Sequence, residues 1–197
     1  VQNALQTDLI LDDNGEKKAL LKTLLIKYIQ KNGDAKVFSE MLIWVYIQEK
    51  NFSGAFIQAK ALDKRQKELG NRLVELAKLS LENKDYETAI KSYQYVIEKG
   101  ADNYYFISSK MELVNVYNSK IIDSPNYTEE DLLSLEKTYN TTLNELGISA
   151  STAPLLRGLA HLQAFYLHNT ESAIILLNEI LAIPRMDPHD AAKSKIE

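Results

Sequence analysis

Asn51-Phe52-Ser53-Gly54-Ala55 and Asp85-Tyr86-Glu87-Thr88-Ala89 decide how this chain folds. Each opens on Asn or Asp, whose short side-chain oxygen accepts from the amides that a helix leaves unpaired at its start. An aromatic residue follows, and a small Ala stands four places after the cap. Ala55 and Ala89 are 34 residues apart, and self-similarity at a fixed period of roughly 20–50 residues marks a repeat architecture. Asn169-Thr170-Glu171-Ser172-Ala173 repeats the cap and the alanine without the aromatic.

Outward from these caps the apolar spacing is helical nearly everywhere. Ala19-Leu20, Thr23-Leu24 and Ile26, with Leu21, Leu25, Tyr28 and Ile29, recur at threes and fours, the stripe of a buried helix face. Asn14-Gly15 and Asn32-Gly33 bracket that helix as turn signals. The pattern predicts helices over about 16–31, 35–49, 53–68, 71–83, 86–99, 103–120, 128–146, 152–168 and 170–183. The breaks are short and polar, among them Lys50-Asn51, Leu69-Gly70, Asn83-Lys84-Asp85, Gly100-Ala101, Gly147 and His168-Asn169. Short links force antiparallel neighbours. One link is longer and contains Pro, Ile122-Asp123-Ser124-Pro125-Asn126-Tyr127, and reads as an insertion within one helix pair. Thr128 with Asp131 three places on is an acidic variant of the capping box for the next helix.

The stretch from Leu73 to Ala101 carries the fullest pattern: Leu73, Leu76 and Ala77 in one helix, the Asp85-Tyr86 turn, then Ala89, Tyr93 and Val96 in the next. It resembles the tetratricopeptide repeat (TPR) signature, in which large and small apolar residues alternate between two packed helices. Ala101 stands where that family usually has Pro, and Ser80 where it usually has Tyr. A second copy runs from Ser39 to Leu62, using Leu42, Ile43 and Tyr46, then Ala55, Ala59 and Leu62. A third is stretched by the insertion and uses Leu113, Val114 and Tyr117, then Leu135, Tyr139 and Thr142. A fourth uses Ala160, His161 and Ala164, then Ala173, Leu177 and Ile180. The resemblance implies an all-α fold, a right-handed α-α superhelix of antiparallel pairs with about nine to ten helices in one TPR-like solenoid domain over 1–197. Its repeats would be 16–33 as a half repeat, 35–69, 70–103, 104–148, 150–184, and a further start at 187–197.

In such arrays the first helix of each pair lines a concave groove, which takes an extended peptide or a helix of another protein. The residues expected there are Glu40, Trp44, Ile47 and Gln48, then Val74, Lys78, Leu81 and Glu82. The third copy would add Met111, Asn115, Asn118 and Ser119, and the fourth Leu162, Phe165 and Tyr166. The charged clamp by which some TPR modules hold a C-terminal carboxylate is not matched, since Glu40 and Val74 stand where it would want Lys. Trp44, the single Trp, falls off the Leu42/Ile43/Tyr46 stripe on the groove side. It reads either as a partner-binding anchor or as packing against a neighbouring pair.

Hydrophobic residues make up 45% of the 197, enough for a sizeable core, whereas 7 Gly and 4 Pro are too few for the turns of an all-β chain. The formal net charge of −4, with acids and bases interspersed, offers no basic patch for nucleic acid. No Cys is present, which excludes disulfides, thiol catalysis and Cys-based zinc sites. No apolar run approaches the ~18–20 residues of a membrane span. His161 and His168 are seven apart without a third ligand nearby, so core or surface roles outweigh metal. Glu129-Glu130-Asp131 fits the positive end of a helix macrodipole. Asn51-Phe52-Ser53, Asn126-Tyr127-Thr128 and Asn140-Thr141-Thr142 match the glycosylation pattern, but caps and helix positions explain the first and last. No phosphate loop, nucleophile elbow, zinc helix or calcium loop occurs, so no cofactor, metal or catalytic residue is expected.

The expectation is therefore a non-catalytic scaffold whose partner is another protein or peptide, with no nucleic acid and no membrane insertion. A competing reading is a structural repeat arm of a larger protein whose enzymatic or secretion activity lies outside this sequence. A third is self-association through exposed solenoid ends. The chain opens on Val1, and Asp187-Pro188 suit the start of a helix that barely begins, so a piece of a longer protein is expected. Its Tyr-, Lys- and Asn-rich style resembles long TPR proteins of Gram-negative bacteria, many of them exported, which sets a bacterial periplasm as the expected location and the cytoplasm as the other.

Overall fold

A computed structural model describes residues 15–32 and 35–184, and Ala192 besides. Its helices are α1 (Glu16–Lys31), α2 (Lys36–Gln48), α3 (Phe52–Gln66), α4 (Asn71–Glu82), α5 (Tyr86–Ile97), α6 (Phe106–Ile122), α7 (Glu129–Leu146), α8 (Ala153–Phe165) and α9 (Thr170–Leu181). No strand occurs among the described residues. The turn expected at Gly33 and the helix start expected at Asp187-Pro188 lie outside the described residues. The chain divides into two compact units, Val1–Lys99 and Gly100–Glu197.

In the first unit, α2 pairs with α3 and α4 with α5, while α1 packs on α2. The turn inside each pair is one repeated device. Lys50 and Lys84 sit in the left-handed region at φ 53° and 61°. The following Asn51 and Asp85 then cap α3 and α5, accepting from the amides of Gly54 at 2.9 Å and Thr88 at 3.1 Å. The small alanines belong to the core: Ala55, Ala77 and Ala89 are fully buried, as are Leu42, Leu73, Tyr93 and Val96. Gly54 marks a close approach, since a Cβ there would lie 2.8 Å from Cδ1 of Tyr46 across the α2–α3 contact.

Helix α1 departs from its sequence pattern. Of the expected stripe only Leu25 is buried; Leu21, Ile26 and Ile29 are half-buried, and Ala19, Leu20, Thr23, Leu24 and Tyr28 are exposed. The reason is that α2 is the helix packed on it, and one neighbour covers one side. The contact is held by Leu25 against Leu42 and Val45, by the Tyr28 and Phe38 rings at 4.1 Å, and by an ion pair of Lys22 with Glu49 at 2.8 Å.

In the second unit α6 pairs with α7 and α8 with α9, and α7 packs on α8. Its core gathers Val114, Leu132, Leu135, Tyr139, Leu155, Leu156, Leu159 and Ile180. His168, at φ 54°, and Asn169, accepting from the Ser172 amide at 3.2 Å, repeat the turn device before α9. The α6–α7 link breaks it, as the Pro125 insertion requires. There Thr128 accepts from the Asp131 amide at 3.2 Å while Asp131 accepts from the Thr128 amide at 2.8 Å, a complete capping box. That amide, together with the Thr128 hydroxyl, holds the Asp131 carboxyl below its ordinary range.

Candidate functional site

The first helices of the two pairs in the first unit, α2 and α4, enclose a cleft of about 370 Å³. From α2 it is lined by Glu40, Ile43, Trp44 and Ile47, and from α4 by Arg72, Glu75, Leu76 and Leu79. Both sets follow the i, i+3/i+4, i+7 rule for one helical face. Glu40 and Arg72 meet across the cleft at 2.8 Å and are 32 residues apart, as are Ile43 and Glu75, Trp44 and Leu76, Ile47 and Leu79.

Chemically the cleft is an apolar trough with a cluster of ion pairs at Arg72. Ile43, Trp44, Ile47, Leu76 and Leu79 are its apolar lining. Trp44 is half-buried, packed on the Leu25/Leu42/Val45 cluster while also lining the cleft. Arg72 donates from Nε and Nη2 to the two carboxylate oxygens of Glu68, both at 3.0 Å, and from Nη1 to Glu40. The Arg72 fork, more than any other contact, holds the Glu68 carboxyl below its ordinary range, and Lys36 at 3.7 Å adds to it. Glu68 in turn raises the Arg72 guanidinium above its ordinary value.

Of the residues expected from sequence, Glu40 and Trp44 come together here, joined by Ile47. Gln48, Val74, Lys78 and Glu82 lie on the same two helices outside the lining, Val74 half-buried and the others exposed. Asn115 and Asn118 sit on α6 in the second unit, Asn115 exposed and donating to Glu112 at 3.3 Å, Asn118 half-buried. Leu162 is not available to a partner at all: it is buried in the second unit's core, because α8 turns that face toward α7 and α9. Phe165 does stand exposed, against His161 at 4.6 Å, and the insertion brings Tyr127 edge-on to Tyr166 at 6.2 Å. Helix α8 ends at Phe165, three residues earlier than the spacing predicts, so His168 falls in a turn and no longer shares a helical face with His161.

Arg72, Glu75, Leu76 and Leu79 were not among the expected groove residues. Leu76 and Leu79 look like ordinary core, and Arg72 like an (i, i+4) partner of Glu68. The signal that finds them is the 32-residue offset between facing positions, slightly shorter than the 34-residue period of the buried alanines.

Among the described residues no group of three or more His, Asp or Glu could hold a metal ion, and no helix is long and apolar enough to cross a membrane. No family model and no curated protein sequence matches this chain. Solved structures similar to it include two TPR-like chains. One is YrrB, described as a TPR protein with an unusual peptide-binding site, at 13% identity and a TM-score of 0.51 over 95% of this chain and 88% of that one. The other is MamA, at 13% identity and a TM-score of 0.50 over 95% of this chain and 98% of that one. The fold is TPR-like. Its helix pairs, its Asx-capped turns and its small residues at the closest helix contacts are the features of the sequence that produce it.

Proposed function

We propose that this chain is a non-catalytic protein-interaction scaffold that takes a peptide or helix of another protein along the α2–α4 face. The observation that supports the reading is the apolar trough itself: Ile43, Trp44, Ile47 and Leu79, each half-buried, line it between the first helices of consecutive pairs, with buried Leu76 behind them. Trp, Tyr and Arg are the residues most enriched among those that carry binding energy, in pockets that a partner desolvates fully.

Trp44→Ala tests it. Trp44 is half-buried, so the substitution should cost about 1–2 kcal/mol in urea unfolding, below the ~3–5 kcal/mol of a fully buried Trp. Cross-linking of a partner to the folded variant should fall sharply, with the wild-type cross-links mapping to α2 and α4. Undiminished cross-linking, or cross-links elsewhere, would count against the groove.

A second reading rests on a separate observation. Leu20, Leu24 and Tyr28 form an exposed i, i+4, i+8 stripe on α1, at 61%, 54% and 48% exposure, and apolar patches of this kind mark association surfaces. Self-association through it predicts a dimer in sedimentation that Leu24→Lys dissociates; a monomeric wild type would end that reading.

A further inference from the structure

We propose that the α2–α4 cleft selects partner segments that are apolar and basic, an inference that rests on the groove reading above. Three acids stand at the trough, Glu40 and Glu75 on its lining and Glu68 beside it, against Arg72 on the lining and Lys36 next to Glu68. Arg72 directs three of its five N–H donors at carboxylates, two at Glu68 and one at Glu40, and Lys36 stands 3.7 Å from Glu68. An incoming carboxylate would have to compete with the two that this fork already holds, and prying it loose would strand Glu40 and Glu68. Glu75 is different. It stands exposed on the lining and makes no hydrogen bond or ion pair among the described residues. The trough therefore offers hydrophobic walls, one uncommitted negative charge, and an Arg72 already engaged by two carboxylates.

The occupant that complements this surface is a helical or extended segment with two or more large apolar side chains for the Ile43/Trp44/Ile47 and Leu76/Leu79 walls, and a Lys or Arg placed for Glu75. Such a charge steers encounter and excludes wrong partners more than it adds raw affinity. The inference points away from a C-terminal carboxylate, which needs uncommitted cations.

The test is selection of a phage-displayed library of random peptides on the full chain, with the Ile43→Glu variant as the control surface. The expected winners pair large apolar residues with Lys or Arg. Their binding, followed by Trp44 fluorescence at moderate salt, should weaken about tenfold in Glu75→Lys, the scale of one lost charge contact. The matched charge change Glu98→Lys, at the exposed end of α5, should leave it within about twofold, which separates a local contact from attraction to the chain's overall negative charge. Three results overturn the proposal. Winners rich in Asp, Glu or C-terminal carboxylates, or winners indifferent to Glu75→Lys, remove the charge preference and leave the groove standing. Winners no better on wild type than on Ile43→Glu remove the groove as well. A dimer that Ile43→Glu dissociates assigns the cleft to a second copy of this chain.

Discussion

Lys99→Met is expected to cost about 3–5 kcal/mol, the loss measured when one partner of a buried ion pair is removed and the other is left charged. Asp63, near the end of α3, is fully buried, and Lys99 reaches it from just beyond α5 at 2.5 Å. The Tyr95 hydroxyl donates to the same Asp63 oxygen at 2.8 Å, and Lys99 also donates to the Glu68 carbonyl at 2.9 Å. Lys99 further lies 4.9 Å from the centre of the Tyr95 ring. Burial and the neighbouring carboxylate push the Tyr95 phenol well above its ordinary range, so it acts as a donor at any working pH. The three side chains thus clamp the second helix of one pair to the second helix of the next. Methionine keeps the length of the lysine stem but takes away the charge that Asp63 was buried against. Adding Asp63→Asn to the same chain removes that stranded charge while keeping its shape, and should restore most of the loss in urea melts. The Lys110–Glu145 pair gives the contrast: Glu145 is about half exposed, and breaking an exposed pair of this kind should cost under about 1 kcal/mol. Similar losses for both substitutions would show that burial of Asp63 does not set the energetics.

That clamp also marks where sequence reading stops. Local features were legible because each has a local cause. The Asx caps at Asn51, Asp85 and Asn169, the Thr128–Asp131 box and the alternation of buried Leu and Ala are written in residues three and four apart. They were enough for the nine helices of the described residues, with ends off by a few residues where the last turn frays into the αL turn residue. Asp63 and Lys99 are far apart in sequence, and neither has a neighbour that announces burial. The cleft was half legible for a related reason. Glu40 and Trp44 could be placed because the α2 stripe is unambiguous. On α4, Leu73, Leu76, Ala77 and Leu79 form a broad apolar arc, and which edge of it faces α2 depends on how the two helices stack. Helix α1 shows the converse: its apolar stripe is clear in the sequence, yet a stripe is buried only where a neighbour covers it.

Gly158→Leu is expected to cost about 3 kcal/mol, at the upper end of what overpacking a filled core costs. The reason lies in how α8 meets α7. A Cβ on Gly158 would stand 2.8 Å from the Tyr139 hydroxyl oxygen, 3.1 Å from Cε1 and 3.2 Å from Cζ. Tyr139 is 1% exposed and is among the largest fully buried side chains; its hydroxyl is pushed up to about 12 by burial. Its ring is enclosed by Leu135, Leu143, Leu155 and their neighbours in one cluster, so it has no route to solvent by which to make room. Two effects oppose each other at this position. Replacing a mid-helix Gly with any good helix former gains about 1 kcal/mol of propensity. Fitting the new side chain against Tyr139 costs more than that, because two packed helices must separate or a buried ring must leave its rotamer. For Ala the two nearly balance, and the net change should be within about 1 kcal/mol of zero. For Leu the steric cost dominates. A double-mutant cycle isolates the contact: with Tyr139→Ala, which opens a cavity at that spot, the introduced leucine side chain would fill part of the vacated volume. The two changes together should then cost at least about 1 kcal/mol less than the sum of the separate losses. Strict additivity would mean that Gly158 is there for its backbone rather than for the ring packed against it.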